Sequence, residues 1–208
     1  MKTIIFDFDG TIADSFEVAL DIAYKVTKIP RDSDEEIERL RHMPLAKIVR
    51  ELHIPLHRVP RLVIVGRQKM HERLGEVRVF PGIATTLKKL HDDGNRLLVI
   101  SSNSEQNVRS FLRTHDLEQY FSEVHGNASA LNKGASLKKV IRKDKIDTKT
   151  CFYVGDEVRD IAAASKAGIE PVSVTWGYQA PEALAQYHPF ALVKKPEELL
   201  AVFGAGKV

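Results

Sequence analysis

Apolar positions along the chain follow two patterns, and the change comes at residue 80. Residues 2–9 are a short run of strand formers, without the length or the caps of a helix. From 14 to 79 the spacing is helical throughout. Residues 16–28 set Phe16, Ala19, Leu20, Ala23 and Thr27 on one side, and Pro30 with Arg31-Asp32-Ser33-Asp34 breaks that helix. Residues 34–42 and 44–52 read as short helices, the second carrying Leu45, Ile48, Val49 and Leu52 on one face, and 58–75 as a longer one. After Phe80-Pro81-Gly82, helices and strands alternate. Helices are expected at 83–93, 104–115, 134–143 and 157–167, with Gly94 and Gly168 ending the first and last of these. Strands are expected at 96–101, 122–126, 150–155 and 171–176.

Near-continuous apolar strands separated by helices of about ten residues or more predict a parallel sheet covered by helices on both faces. The expected organisation is an α/β core from residues 1–13 and 80–208, with a small all-α cap domain, 14–79, inserted just after the first strand.

Composition changes little in this picture. Of 208 residues, 43% are hydrophobic and 28% charged, which is ordinary for a globular chain. Only Ile4, Ile5 and Phe6 precede the first aspartate, too few for a signal sequence, and no stretch is long enough for a membrane span. The single cysteine, Cys151, excludes an intrachain disulfide framework and is expected in the core. A soluble, cytoplasmic protein, monomer or homodimer, is expected, with no membrane partner. Charge is uneven: residues 13–38 set eight acids against Lys25, Lys28 and Arg31, and 39–78 set ten Lys/Arg against Glu51, Glu72 and Glu76. This reads as a solvated helical surface, or as a positive lid that attracts anions. With few aromatics and no binding module, nucleic acid is not an expected partner.

The chemistry gathers where the strands end, which is where open parallel sheets bind ligands. Asp7, Asp9, Gly10 and Thr11 follow the first strand; Ser101, Ser102 and Asn103 follow the second; Gly155, Asp156, Glu157 and Asp160 follow the fourth. Lys133 begins a helix between them. Asp7 and Asp9, two apart in an extended strand, point to one face. Asp156 and Asp160, four apart, share a helix face if that helix starts early enough. Carboxylates buried together are costly unless a cation offsets them. Hard oxygen ligands, with no cysteine or histidine among them, favour Mg²⁺. The small hydroxyl and amide groups lead into a helix N-terminus and suit a phosphate. A metal, a lysine, such donors and a free carboxylate are the parts phosphoryl transfer needs. Ser104 is expected to cap the helix after it, Glu157 to be an exposed first-turn acid, and none of the eight histidines to be a ligand. Trp176-Gly177-Tyr178 walls the pocket or packs in the core.

Taken in order, DFDGT (7–11), Ser101, Lys133 and GDEVRD (155–160) resemble the four motifs of the haloacid dehalogenase superfamily, and the likeness, inserted cap included, is greatest to its phosphoglycolate phosphatase-like branch. The resemblance implies a Rossmann-like three-layer core and a Mg²⁺-dependent phosphatase for a small phosphorylated substrate such as phosphoglycolate. It implies Asp7 as nucleophile, carrying an aspartyl phosphate, and Asp9 as the acid, then base, whose carbonyl is also a metal ligand. Ser101 and Lys133 hold phosphoryl oxygens. Asp156 binds the metal with Asp7, and Gly10 and Asp160 support the site. Thr11, Ser102 and Asn103 are implied as substrate contacts. The dehalogenase branch lacks the acid at the position of Asp9. The chain departs from the family at Lys133, where SALNKGASL lacks the usual Gly-Lys-Pro; Lys138 and Lys139 lie close by. A phosphotransferase or mutase would share every motif, and a non-catalytic phosphate- or partner-binding domain would share the fold without needing Asp9.

Overall fold

The structure, a computed structural model, describes residues 1–30, 33–129 and 133–204. Arg31 and Asp32 of the expected helix break, and residues 130–132 on the approach to Lys133, lie outside the described residues.

The chain begins with β1 (Thr3–Phe6) and a short β2 (Ala13–Asp14). Four helices come next: α1 (Phe16–Thr27), α2 (Asp34–Arg41), α3 (Leu45–Glu51) and α4 (Val59–Glu72). Then β3 (Arg78–Val79), α5 (Ile83–Asp92), β4 (Arg96–Ile100), α6 (Glu105–Thr114) and β5 (Glu123–His125) follow. The remainder is α7 (Lys133–Lys143), β6 (Cys151–Gly155), α8 (Val158–Ala167), β7 (Glu170–Val174), α9 (Pro181–Ala185), β8 (Ala191–Val193) and α10 (Glu198–Phe203).

Six strands form one sheet in the order β5-β4-β1-β6-β7-β8, every adjacent pair parallel. β1 is central: Thr3 pairs with Arg96 on one side and Cys151 on the other. The alternation of side chains separates two apolar layers. Ile4, Phe6, Leu97, Val99, Phe152 and Val154 face helices α5, α6 and α10, while Ile5, Leu98, Ile100, Cys151 and Tyr153 face α7 and α8. The core is therefore three-layered, and its strands are apolar on both faces because both faces are covered.

Three expectations are corrected. β1 stops at Phe6, before the aspartates, although the Asp7 amide still bonds the Val154 carbonyl at 2.8 Å. The chain then turns: the Ile12 and Ala13 amides both reach back to the Phe8 carbonyl, and Gly10 takes φ +76°. Asp7 and Asp9 are thus not alternate residues of one strand. The stretch 14–79 is not helical to its ends, because β2 and β3 pair antiparallel, Ala13 with Val79 and Asp14 with Arg78. That ladder joins the two ends of the helical segment. Finally, β8 adds an edge strand that no sequence pattern signalled.

The four helices α1–α4 sit over the carboxyl ends of the strands and are tied to the core on two sides. From α2, Arg41 donates through Nε to the Tyr178 carbonyl (2.9 Å) and through Nη2 to the Gly177 carbonyl (3.0 Å). From α4, Arg67 Nε donates to the Ser102 carbonyl at 2.8 Å, and His71 Nδ1 lies 2.8 Å from Asn107 Oδ1. No helix among the described residues is long and apolar enough to cross a membrane.

Candidate active site

The ends of β1, β4 and β6 bring their polar residues together because β1 lies between the other two. Asp7 leaves β1 almost fully buried. Its Oδ1 accepts the Phe8 amide at 2.8 Å, and its Oδ2 accepts Lys133 Nζ at 2.5 Å. Lys133, the first residue of α7, also donates to Asp160 Oδ1 at 2.6 Å and lies over the Tyr153 ring. It is likewise buried. Burial opposes its charge, but Asp160 and Asp7 outweigh that and hold its pKa well above a free lysine's. For Asp7 burial prevails over Lys133, and its pKa is pushed up to about 7.

Asp160 serves as more than a helix-surface acid. Besides Lys133, it accepts the Glu157 backbone amide through Oδ2 (3.1 Å), closing a capping box at the start of α8. Glu157 is accordingly buried rather than exposed, with Arg159 Nε 2.9 Å from its Oε1. Asp156 is fully buried: Oδ1 accepts the Thr11 hydroxyl (2.9 Å) and Oδ2 the Tyr178 amide (2.7 Å). Burial, reinforced by Glu157, Asp160 and Asp7, raises its pKa well above the carboxylate range.

Asp9 stands in a different environment. It is half-buried, and its hydrogen-bond donors are neutral: the Ser15 hydroxyl at 2.8 Å to Oδ1 and the Asn103 amide at 3.0 Å to Oδ2. Burial raises its pKa, and these two bonds restrain the rise. Both partners are themselves fixed. Ser15 Oγ lies 2.9 Å from the Tyr178 hydroxyl, and Asn103 Oδ1 accepts the Ser104 amide and Asn107 Nδ2. Ser104 caps α6 as expected, its hydroxyl accepting the Asn107 amide.

Thr11 and Asn103, read as substrate contacts, therefore hold carboxylates, while Ser102 turns its carbonyl to Arg67. Ser101 is fully buried; its Oγ accepts the Asn103 amide, and its own proton goes to no described residue. Gly10 and Gly177 allow close packing around Asp156. A Cβ on Gly10 would fall 2.1 Å from Asp156 Oδ2, and one on Gly177 would fall 2.3 Å from the Gly10 carbonyl oxygen. The sequence assigns no role to Ser15 and Arg159, and to Gly177 and Tyr178 only a place in the pocket wall or the core; Tyr178 does line the space above the site. Tyr178 meets Ser15 across 163 residues, which no local pattern signals.

The donor set suits a hard divalent cation. Asp7, Asp156 and Asp160 are buried and can bring one oxygen each within 4.8 Å of the others. Among the described residues, the acids Asp7, Asp9, Asp156, Glu157 and Asp160 gather around the cations Lys133 and Arg159, an excess of acidic groups that a cation would offset. The other acidic group, Glu123, His125 and Asp144, is half-buried and bridged by Arg96.

Four likenesses bear on this arrangement. The family model described as haloacid dehalogenase-like hydrolase matches residues 4–174. A phosphoglycolate phosphatase of Synechococcus elongatus is 32% identical over 204 residues, covering 96% of each chain, and one of Vibrio cholerae is 28% identical over 91% of each. Among solved structures, a haloacid dehalogenase-like family hydrolase from Streptococcus pneumoniae superposes with a TM-score of 0.80 over 98% of each chain. At 22% identity that last likeness speaks to the fold alone.

Proposed function

The chain belongs to the haloacid dehalogenase-like hydrolase family, and we propose that within it the chain is a Mg²⁺-dependent phosphatase. It cleaves small phosphate monoesters through an aspartyl phosphate on Asp7. Phosphoglycolate enters as a candidate substrate from the names of the relatives.

The observation that carries this reading is the contrast between Asp7 and Asp9. Asp7 is bonded to a lysine ammonium, which opposes the rise that burial imposes on its pKa and, with a cation on the acid cluster, favours an ionised nucleophile. Asp9 is held by neutral groups, a hydroxyl and an amide, and its pKa too is raised by burial, so it can carry a proton to a departing oxygen. Two carboxylates with different surroundings can divide nucleophile and acid between them. In the first step an Asp7 oxygen bonds to phosphorus as the ester P–O bond breaks, and Asp9 gives its proton to the departing oxygen. In the second, Asp9 takes a proton from water, the water oxygen bonds to phosphorus, and the bond to Asp7 breaks, releasing orthophosphate. Ser101, with a proton to donate, and Lys133 hold the phosphoryl oxygens. Asp160 and Thr11 act through others: Asp160 positions Lys133, and Thr11 positions Asp156. Asp7 and Asp156, with the Asp9 carbonyl, would hold Mg²⁺, which supplies charge neutralisation for the acids and the phosphoryl group. Helices α1–α4 form the cap domain of this reading, over a core of 1–13 and 80–208. The buried free thiol of Cys151 suits a reducing, cytoplasmic setting.

The test is Asp7→Asn, assayed on p-nitrophenyl phosphate with Mg²⁺. The variant should melt as a folded protein and lose activity by at least about a thousandfold. Hydrolysis at the parent rate would remove Asp7 from the mechanism. Wild-type protein with no metal-dependent turnover of any ester would favour the binding-domain alternative.

A further inference from the structure

Resting on the phosphatase reading above, we infer that the preferred substrate carries an apolar organic group, larger than glycolate, seated between the cap helices and the site. A cavity of about 390 Å³ opens there, within the range of about 300–1,000 Å³ that small-molecule sites occupy. Its floor is the reactive end: Asp9, Ser102 and Asn103 all line it. Asp9 protonates the departing oxygen in the proposed reaction, so whatever that oxygen carries extends from Asp9 into this space.

The walls determine what that group is. They come from α1, α3 and α4 and are built of Ile22, Val26, Val49, Leu62, Val63 and Met70, among other apolar side chains. Leu45 and Leu56, also in the lining, remain 36% and 69% exposed. Ile22, Val49 and Met70 are buried by protein, while Val26, Leu62 and Val63 are half-buried, so part of this apolar lining stays open, and it is continuous with the site. A two-carbon glycolate would fill a small part of this volume and leave the open part of that lining uncovered. Its carboxylate would also need a cation within the cavity. Of the arginines there, Arg67 already donates to the Ser102 carbonyl, Asn127 Oδ1 and the Ala128 carbonyl, Arg159 is paired with Glu157, and Arg50 is exposed. An unbranched or branched hydrocarbon, or an aryl ring, suits these walls where a carboxylate does not.

The decisive experiment is a chain-length series on the full protein with Mg²⁺. Hydrolysis of methyl through hexyl phosphate is measured beside phosphoglycolate, and binding of methyl- through hexylphosphonate, which cannot turn over, by calorimetry. The alcohols leave with similar ease, so length reports burial. Both kcat/KM and affinity should rise about fourfold per methylene, the factor for burying one CH₂, until the cavity is full. Hexyl phosphate should exceed phosphoglycolate in kcat/KM by at least about tenfold. In Val63→Asp both slopes should flatten, and its melting profile shows whether it has folded. A flat phosphonate series, or phosphoglycolate as the better substrate, would overturn the inference. Turnover of no ester alongside a steep phosphonate slope would instead overturn the phosphatase reading.

Discussion

Raising the pH of the metal-free protein from about 5 to about 8 should destabilise it, and Mg²⁺ should restore most of what is lost. The cause is the buried acid cluster. Asp7 is pushed up to about 7 in the folded chain from an ordinary value of 3.8. An acid whose folded pKa lies above its unfolded one contributes stability that is complete below the unfolded value and is lost as pH rises through the folded value. For Asp7 that window runs from about 4 to about 7, roughly three pKa units, or about 4 kcal/mol in all. About two of those units, near 3 kcal/mol, fall above pH 5. For a chain of this size that corresponds to a fall in Tm of roughly 6–10 °C. Asp156 and Asp9 shift in the same direction and steepen the fall. The exposed carboxylates with arginine or lysine partners, such as Asp21, Glu76 and Asp92, have lowered pKa values. They are ionised in both states across this window and contribute no slope.

Mg²⁺ binds the ionised acids, so its stabilisation should grow as pH rises; at a hundred times its Kd it adds about 2.7 kcal/mol. The assay is thermal unfolding followed by far-UV circular dichroism at four pH values, with EDTA or with saturating Mg²⁺. Asp7→Asn is the internal control and should flatten much of the metal-free slope. A metal-free Tm that stays level or rises over the window would refute the reasoning. So would a Mg²⁺ shift of equal size at both ends: the first would mean that the cluster carries no such strain, the second that the ion does not bind the titrating acids.

Three further outcomes follow from particular contacts. Gly177→Ala puts a Cβ against the Gly10 carbonyl oxygen and the Asp156 carboxylate; it should cost about 1–3 kcal/mol and abolish the Mg²⁺-dependent Tm shift, both read in the same melts. Asn103→Ala removes the amide that orients Asp9 and restrains its pKa. kcat should fall about ten- to a hundredfold with little change in KM. Activity that needs protonated Asp9 is lost as pH rises, so the alkaline limb of the variant's kcat profile should lie at higher pH. Cys151 is buried, with its thiol pushed up to about 12 by desolvation; it should react with a disulfide reagent such as DTNB only at the rate of global unfolding.

The convergence of the polar strand ends is legible because parallel topology leaves little choice: β1 flanked by β4 and β6 must bring residues 7, 101 and 156 to one edge. What hides from the sequence is how each side chain is used there. Glu157 reads as a solvated first-turn acid, yet the capping box with Asp160 and the ion pair with Arg159 draw it inside. Thr11 and Asn103 read as substrate donors, and the folded chain adds that each donates to a carboxylate, Asp156 and Asp9. The cap carries the deeper ambiguity. Periodicity places Leu45, Ile48, Val49 and Leu52 on one face of a helix, which argues that the face is covered but not by what. Only Val49 of the four is buried in the folded chain. Leu45 and Val49 border the space above Asp9. A stripe that meets protein and a stripe that meets a ligand are written in the same residues, because both satisfy the same demand to leave water. Only the packing tells them apart. Where α3 leaves the packed pair of α1 and α4 open above Asp9, the apolar face they share is, on the inference above, completed by the organic group of the substrate.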